Sequence, residues 1–247
     1  MKTIALYSIK GGVGKTAASV NLAYTSSQVG NRTLLIDLDP QGASSFYFRI
    51  KENNKAPKHQ FFSPKNRITK QIKGSNYPLL DILPASFYFR NFDLLLGNMS
   101  KSTMRLKKTI SLLKDQYDLI ILDCPPSINL LAENIFNAAD VILVPVIPTT
   151  LSERTLSQLL DFFKQNDYSR KIIHPFFSMA QRSNKFHLNM IKTMEKTYPC
   201  FLNTLIGFSV AIEKMGIQRE PALCYAGKNS LAQDYRYLFN EVINKLK

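Results

Sequence analysis

The chain has 247 residues, of which 45% are apolar and 20% charged, and its 32 Lys and Arg against 18 Asp and Glu give a net charge of +14. This length suffices for one substantial core, so we predict a single domain over residues 1–247, and the composition excludes a disordered or fibrous chain. The excess positive charge favours polyanionic partners. Three widely spaced cysteines exclude a disulfide framework, and no apolar run approaches the ~18 residues of a membrane span. Because a signal-peptide pattern is also missing, we expect a cytoplasmic protein without integral membrane association.

Short apolar runs alternate along the chain with segments of helical periodicity or polar loop composition. Such runs are typical of strands buried in a parallel sheet. We therefore predict an α/β fold in which helices flank a doubly wound, mostly parallel sheet. In chain order, the predicted strands are Ile4–Tyr7, Leu34–Ile36, Leu79–Leu83, Leu119–Leu122, Val141–Val146, Lys171–Ser178 and Phe201–Ile206. The predicted helices include Ser152–Gln165 and a last helix whose apolar stripe is Leu231, Tyr235, Leu238, Val242 and Leu246.

A glycine-rich loop follows the first predicted strand and leads into a helix that begins near Thr16. The glycines allow backbone N–H groups to turn inward as an anion-binding nest at the helix N-terminus. In such a loop, Lys15 reaches the β- and γ-phosphates of a nucleotide and the Thr16 hydroxyl binds Mg²⁺. The general pattern G-x-x-x-x-G-K-[ST] requires glycine where this chain has Ile9, so the loop is a variant. It reads Lys10, Gly11, Gly12, Val13, Gly14, Lys15, Thr16, and Ala17 follows.

Carboxylates end two other predicted strands. The second strand runs into Asp37 and Asp39 before a turn at Pro40, and the fourth ends in Asp123. A single acidic residue in such a place would be weak support for a site, because acids often cap helices. Together with the glycine-rich loop, the three carboxylates indicate phosphoryl transfer assisted by a metal ion.

A basic segment interrupts the alternating pattern at about residues 49–77. Eight basic residues face one acid there, so 29 residues carry +7, half of the excess charge of the chain. Its prolines and asparagines predict a surface excursion, with one short helix around Ile68–Ile72. The basic residues are Arg49, Lys51, Lys55, Lys58, Lys65, Arg67, Lys70 and Lys73, and the acid is Glu52.

The second lysine of the loop, Lys10, carries a resemblance to a known family. The loop is similar to K-G-G-x-G-K-[ST], the loop of the ParA/MinD-type partition ATPases, P-loop NTPases of the SIMIBI class. Asp81–Ser86 resembles the family's "dllPas" segment, and Asp140–Pro145 and Asp234–Asn244 lie where ParA-like members have matching segments. The resemblance thus covers nearly the whole chain. It fades over Arg49–Tyr77 and Phe176–Lys185, so residues that contact the base stay unassigned.

The resemblance implies roles for the site residues. Lys10 would cross to the ATP of the other subunit in a nucleotide-sandwich homodimer. Asp39 would orient the attacking water, and Asp37 would support the metal and the switch network. The implied catalytic residues are Lys10, Lys15 and Asp39. The implied nucleotide-binding residues are Lys10, Gly11, Gly12, Val13, Gly14, Lys15, Thr16 and Ala17. Mg²⁺ would be held, partly through water, by Thr16, Asp37 and Asp123.

The resemblance also implies a function for the whole chain. It predicts a nucleoid-associated ATPase that binds DNA nonspecifically as an ATP dimer and positions a cargo. A ParB-like or other cargo-adaptor protein would stimulate hydrolysis and so release the DNA. Several family members carry an arginine after the segment matching Ile206-Gly207, where this chain has uncharged residues, so we expect a displaced DNA surface. Candidate DNA contacts are Lys65, Arg67, Lys70, Lys73, Arg182, Lys185, Lys214 and Arg219.

Two alternative functions remain open at this point. A MinD-like positioning ATPase would dock on membranes through a basic amphipathic C-terminal helix, although the stripe in Tyr235–Lys247 is also one that the core would use. A biosynthetic amide-forming enzyme of the dethiobiotin synthetase type would share the fold and turn over a small metabolite. Fe–S relatives are excluded, because no suitable cysteine pair is present.

Overall fold

The computed structural model describes residues 1–51, 68–86, 92–226 and 230–246. The strands within these ranges are β1 (Lys2–Leu6), β2 (Thr33–Asp37), β3 (Lys73–Gly74), β4 (Leu80–Leu83), β5 (Leu119–Asp123), β6 (Val141–Val146), β7 (Ile173–Ala180) and β8 (Leu205–Gly207). The helices are α1 (Lys15–Gln28), α2 (Ala43–Tyr47), α3 (Phe92–Gly97), α4 (Arg105–Ser111), α5 (Leu130–Ala138), α6 (Thr150–Gln165), α7 (Lys185–Thr197), α8 (Val210–Gln218), α9 (Ala222–Tyr225) and α10 (Ser230–Lys245).

The strands form one sheet in the order β3-β4-β2-β5-β1-β6-β7-β8. Neighbouring strands are parallel except for β3 and β4. From β1 the chain first builds the side that contains β2, β4 and β5, and later the side that contains β6, β7 and β8. Ligand sites in such sheets lie outside the carboxyl ends of the strands, where the winding reverses. That place is the end of β1.

Both faces of the sheet are covered by helices. Along β1, Ala5 and Tyr7 face a core formed with α3 to α7, while Ile4 and Leu6 face a core formed with α1, α8 and α10. Successive side chains of a strand point to opposite faces, so a strand buried on both sides is apolar throughout. The predicted doubly wound α/β fold is confirmed.

One predicted strand is wrong for most of its length. In place of Phe201–Ile206, β8 begins at Leu205. The Phe201 ring stacks on Phe177 with a centroid distance of 4.3 Å, and the Leu202 N–H donates to the Pro175 carbonyl at 2.8 Å. Phe201 and Leu202 are apolar because they pack against β7, but they do not pair with it as a β-strand.

The described part of the basic segment agrees with its prediction except for one strand. The short helix predicted around Ile68–Ile72 is present as a 3-10 helix over Thr69–Gln71, and it is followed by the unpredicted antiparallel strand β3. The rest of the predicted excursion, residues 52–67, lies outside the described residues. In the described ranges, no helix has both the length and the apolar character needed to cross a membrane.

Candidate nucleotide-binding site

The glycine-rich loop leaves β1 and ends at the first residue of α1. Gly12 and Gly14 have φ angles of 71° and 92°, which side-chain-bearing residues rarely adopt. A Cβ atom on Gly14 would lie 2.9 Å from the Ser178 Oγ. Gly14 caps α1 without a side-chain hydrogen bond, so the first N–H groups of the helix are left for another acceptor. This loop fits an anionic ligand such as a phosphate group.

Lys15 places a positive charge inside the loop. The residue is buried, and its Nζ donates to the carbonyl of Lys10 at 3.1 Å. Burial lowers the pKa of the Lys15 ammonium, while the Asp123 carboxylate acts in the opposite direction. A buried cation beside an anion-binding nest is the electrostatic partner that a polyphosphate needs.

The ammonium of Lys10 has a hydrogen-bond partner outside the loop. The Lys10 Nζ donates to the Ser152 Oγ at 3.2 Å, in the first turn of α6. The Ser152 hydroxyl also accepts from the Thr149 Oγ1 at 3.1 Å. Within one subunit, the two lysines of the loop therefore interact with different groups: Lys15 with the loop itself and Lys10 with α6.

Asp37 and Asp123 are cross-strand neighbours on β2 and β5, and both are buried. Burial raises the pKa of both carboxyl groups. At Asp37 the charge of Asp123 adds to the rise, whereas at Asp123 hydrogen bonds from Ser44 and Thr16 oppose it. Two buried carboxylates this close repel each other, so a divalent cation would stabilise the pair.

The oxygen donors at this place fit Mg²⁺. The Thr16 hydroxyl lies within hydrogen-bonding reach of the Asp123 carboxylate, and this hydrogen bond opposes the rise in the Asp123 pKa that burial causes. Among the described residues, no group of three or more His, Cys, Asp or Glu side chains is arranged to hold a metal ion. Mg²⁺ commonly takes one or two protein oxygens and completes its shell with phosphate and water, which suits this donor set.

Asp39 has surroundings unlike those of Asp37. Its carboxylate Oδ1 accepts from the Gln41 N–H at 2.9 Å, its carbonyl accepts from the Gly42 N–H at 2.9 Å, and it lines the same cavity as Lys15. Asp37 instead accepts from both N and Oγ of Ser45, at 2.8 and 2.7 Å, within the protein. The structure thus directs one carboxylate to the cavity and the other to an internal network.

Three serines that the sequence reasoning missed hold this network together. Ser19 and Ser44 donate from Oγ to the Asp123 carboxylate at 3.2 and 2.5 Å. Ser45 donates to Asp37 and accepts from the Ala85 N–H at 2.9 Å, which ties β2, α2 and the end of β4 together. Single serines have no spacing signature. For Ser44 and Ser45 the available signal was the run of small residues that follows the turn after Asp39; Ser19 had none.

The site is a cavity of about 310 Å³ that spans the carboxyl ends of β1, β2, β7 and β8. We call its two ends the phosphate half, after the glycine-rich loop, and the base half, the end that would be left for the base of a bound nucleotide. The phosphate half is Gly11, Gly12, Gly14, Lys15, Thr16 and Asp39, and the base half is Met179, Gly207, Phe208, Ser209 and Ile212. Of the other predicted site residues, Ala17 lines the cavity, while Val13 packs its side chain into the core.

The base half depends on an irregularity in β7. The pairing of β7 with β8 shifts register between Phe177 and Ala180, and Met179 within that bulge has a φ of 54°. The Phe208 N–H donates to the Ala180 carbonyl at 3.0 Å, which brings the chain after β8 over the bulge. Bulges bend a strand and re-aim its side chains, and they occur often beside functional sites.

The predicted DNA contacts lie on several elements. Lys65 and Arg67 are outside the described residues. Lys70, Lys185 and Lys214 are exposed. The other three contact the protein itself: Lys73 Nζ donates to the Lys51 carbonyl at 2.7 Å, Arg182 lies 3.8 Å from an Asp234 carboxylate oxygen, and Arg219 Nε donates to the Phe46 carbonyl at 3.2 Å.

Residues 1–173 match the AAA_31 family model, described as an AAA domain. Over 249 residues the chain is 30% identical to the virulence plasmid ParA family protein pGP5-D of Chlamydia psittaci, covering 100% of this chain and 96% of the relative. It superposes on a plasmid partition protein of Borrelia burgdorferi B31 bound to AMPPNP with a TM-score of 0.82, 21% identity and 99% coverage of both chains. Cobyrinic acid a,c-diamide synthase of Mycobacterium smegmatis, with bound ADP and magnesium, superposes with a TM-score of 0.82, 20% identity and coverage of 99% and 95%. At these identities the two structures show a shared fold.

Proposed function

This chain belongs to the ParA/MinD-type P-loop ATPases, a family of partition and positioning enzymes, and we propose that it is an ATP-dependent positioning switch that binds DNA. In this proposal it forms a homodimer around two ATP molecules, binds DNA without sequence preference in that state, and positions a plasmid, chromosome or protein complex. A ParB-like or other cargo adaptor stimulates hydrolysis and resets the switch. The protein would act in the cytoplasm on the nucleoid.

The residues of the phosphate half can supply the parts that ATP hydrolysis needs. Bound ATP with Mg²⁺ supplies the phosphoryl group that is transferred to water. Lys15 and the loop N–H groups neutralise phosphate charge, and Thr16 with Asp123 holds the metal ion, with Asp37 in support. Asp39 faces the cavity and accepts a hydrogen bond from the attacking water, which orients it. No covalent nucleophile is required.

One observation carries the dimer proposal: the ammonium groups of the two loop lysines have different hydrogen-bond partners. Lys15 turns back onto the loop, whereas Lys10 extends to Ser152 on α6. Lys15 alone can neutralise phosphates in its own subunit, which leaves Lys10 for the phosphates of a second subunit. The dimer thus brings a second cation to the ATP, as an arginine finger supplied in trans does.

The dimer is tested by Lys10→Ala. ATP should still bind, because the glycines, Lys15 and Thr16 are unchanged, but light scattering should detect no ATP-induced dimer. Ser152→Ala serves as the matched control, since it removes the resting contact of Lys10 and keeps the lysine. An ATP-induced dimer of equal stability in Lys10→Ala and the wild type would reject the sandwich arrangement.

The net charge of +14 supports DNA as the partner, provided that binding depends on the nucleotide. Affinity for DNA grows with the number of phosphates neutralised, because each contact releases counterions. A dimer presents twice the contacts of a monomer. Gel shifts of the wild type with random duplex DNA should therefore show salt-sensitive binding with a slowly hydrolysed ATP analogue and weak binding with ADP. Lys10→Ala should bind DNA equally weakly with both nucleotides. Equal binding in all nucleotide states would mean bulk electrostatics alone.

The membrane alternative has little support in α10. That helix would need an exposed apolar stripe, but Leu231, Tyr235, Leu238 and Val242 are each at most 3% exposed. The helix packs on α1 and β8. An interfacial helix must present its apolar face to lipid, and this face already belongs to the core. Liposome co-sedimentation with ATP should accordingly recover no more protein than the ADP sample.

A biosynthetic role remains the competing enzyme class, since an amide-forming synthase shares the fold. The two classes differ in what limits turnover. A switch hydrolyses ATP slowly alone and faster with a partner and DNA, whereas an amide-forming enzyme requires a carboxylic metabolite. Steady turnover that depends on such a metabolite would favour the biosynthetic role.

A further inference from the structure

The helices α2 and α8 end side by side, and an arginine with left-handed backbone conformation follows each. Arg49 lies just beyond α2 with a φ of 58°, and Arg219 caps α8 with a φ of 53°. A residue with a Cβ pays a steric cost in this region, where glycine is the usual choice. The use of arginine at both places indicates that the side chains make contacts that offset this cost.

The two arginines cap each other's helices. Arg49 donates from Nε to the Arg219 carbonyl at 3.2 Å and from Nη2 to the Gln218 carbonyl at 2.8 Å. Arg219 donates from Nε to the Phe46 carbonyl at 3.2 Å, and its guanidinium carbon lies 4.4 Å from the centroid of the Phe46 ring. Helix C-termini carry partial negative charge on their last carbonyls, which favours a cation there. We call this arrangement the Arg49–Arg219 clamp.

The other end of α2 holds the acidic network. Ser44 donates to the Asp123 carboxylate at 2.5 Å, and Ser45 donates to the Asp37 carboxylate at 2.7 Å. The helix begins four residues after Asp39, with only a tight turn between them. A displacement of α2 would therefore move the loop that carries Asp39.

The other end of α8 forms part of the base half. Ser209 caps the helix by accepting from the Ala211 N–H at 3.2 Å, and Ser209, Ile212 and Glu213 line the cavity. In its middle, buried Met215 accepts from the Asn21 Nδ2 of α1 at 3.5 Å. A ligand in the base half thus contacts α8 directly.

We propose that Arg49 and Arg219 are positioning residues that couple the base half of the cavity to the loop of Asp39. A base that fills its half holds α8 in place, α8 holds α2 through the clamp, and α2 holds Asp39 at the distance that hydrolysis needs. The proposal rests on the ATPase function and adds a structural link between recognition of the base and the rate of hydrolysis. It also gives Arg219 a role other than the DNA contact predicted from charge.

The chain offers a matched control for the clamp. Arg105 also uses a guanidinium to cap a nearby carbonyl, donating from Nε to the Ser100 carbonyl at 2.9 Å. It lies in α4, and neither Arg105 nor Ser100 lines the cavity. Arg105→Ala therefore removes the same kind of contact without touching α2 or α8.

The experiment compares wild type, Arg219→Ala, Arg219→Lys, Arg49→Ala and Arg105→Ala. Hydrogen exchange of residues 43–48 is measured with and without ADP, and ATPase kcat and KM are measured well below each Tm. In the wild type, ADP should slow exchange in α2, and in Arg219→Ala this protection should be lost. The kcat of each clamp variant should fall by about tenfold with KM changed by less than about twofold, because misplacement of a positioned group affects the chemical step.

Arg219→Lys separates geometry from charge, since it keeps the cation but lacks the Nε donor and the planar group over Phe46. It should behave like Arg219→Ala. The double variant Arg49→Ala with Arg219→Ala should lose no more than either single variant, as expected for residues that act as one unit. Wild-type exchange and kcat in Arg219→Ala, or equal losses in Arg105→Ala, would overturn the proposal. An inactive wild type would instead overturn the ATPase function, and the exchange data would still decide whether α2 and α8 are coupled.

Discussion

The phosphate half and the base half of one cavity are built in opposite ways. The phosphate half comes from consecutive residues after β1 and β2, at the centre of the sheet, and it is held by hydrogen bonds and buried charge. The base half comes from the bulge in β7 and from the chain after β8, at the edge of the sheet. Its ring, Phe208, is 45% exposed. Charge must be placed accurately and shielded from water, whereas an apolar contact tolerates looser geometry.

The halves meet where Gly14 approaches Ser178 on β7. A side chain at position 14 would have no room between the loop and β7, so a change there should affect both halves. Variants that act on one half alone should separate the contribution of charge from that of packing.

The largest effect is expected for Lys15→Ala in the phosphate half. Without this buried cation the phosphates lose their main neutralising charge, which costs about 4 kcal/mol, or roughly a thousandfold in affinity. Calorimetry with ATP should therefore detect no binding at micromolar protein, while circular dichroism should show an intact fold. ATP affinity equal to that of the wild type would reject this half as the phosphate site.

Asp39→Ala should separate hydrolysis from binding. The phosphate cradle is unchanged, so ATP affinity should stay within about threefold, while kcat falls by roughly 100-fold because the water loses its orienting carboxylate. Asp37→Ala is the matched comparison two residues earlier. Because Asp37 is buried and bonded to Ser45, its loss should lower the Tm, which Asp39→Ala should leave unchanged. Wild-type hydrolysis in Asp39→Ala would assign the role to another residue.

Gly14→Ala tests the contact between the halves. The new Cβ would meet the Ser178 Oγ at 2.9 Å and would also force alanine to a φ of 92°. Gly30 has the same φ of 92° with no atom within 4 Å, so Gly30→Ala carries the backbone strain alone. Each substitution should cost about 1–3 kcal/mol in stability, and only Gly14→Ala should also weaken ATP binding. Adding Ser178→Ala to Gly14→Ala should restore part of the affinity for ATP. If it restores none, crowding against Ser178 is not the reason for the weaker ATP binding.

Phe208→Ala is expected to have the smallest effect. A half-exposed ring gives up about 1 kcal/mol of apolar contact, so the affinity for ATP should fall by roughly fivefold with kcat unchanged. The control is Val210→Ala. Val210 is the first residue of α8, is 55% exposed and does not line the cavity. A loss as large as that of Lys15→Ala would show that the base half is not the looser part of the site.

The phosphate half was accessible from sequence because its chemistry is local. Loop, lysines and carboxylates lie at fixed offsets after short apolar runs, and parallel strands bring their carboxyl ends to one edge. The structure accordingly brings Lys15, Thr16 and Asp39 to one cavity. The serines that serve Asp37 and Asp123 were missed, since serine is common and its partner is chosen by packing.

The sequence alone determined the doubly wound α/β class, most of the strands and the anion-binding loop, because hydrophobic periodicity and glycine-rich turns act over a few residues. Only the tertiary structure decided what contacts join distant segments. Phe201 and Leu202 resembled a strand because burial and pairing leave the same apolar pattern. The base half and the Arg49–Arg219 clamp each join segments that are far apart in the chain. No local sequence pattern predicts such contacts, because they form only after the sheet has brought those segments together.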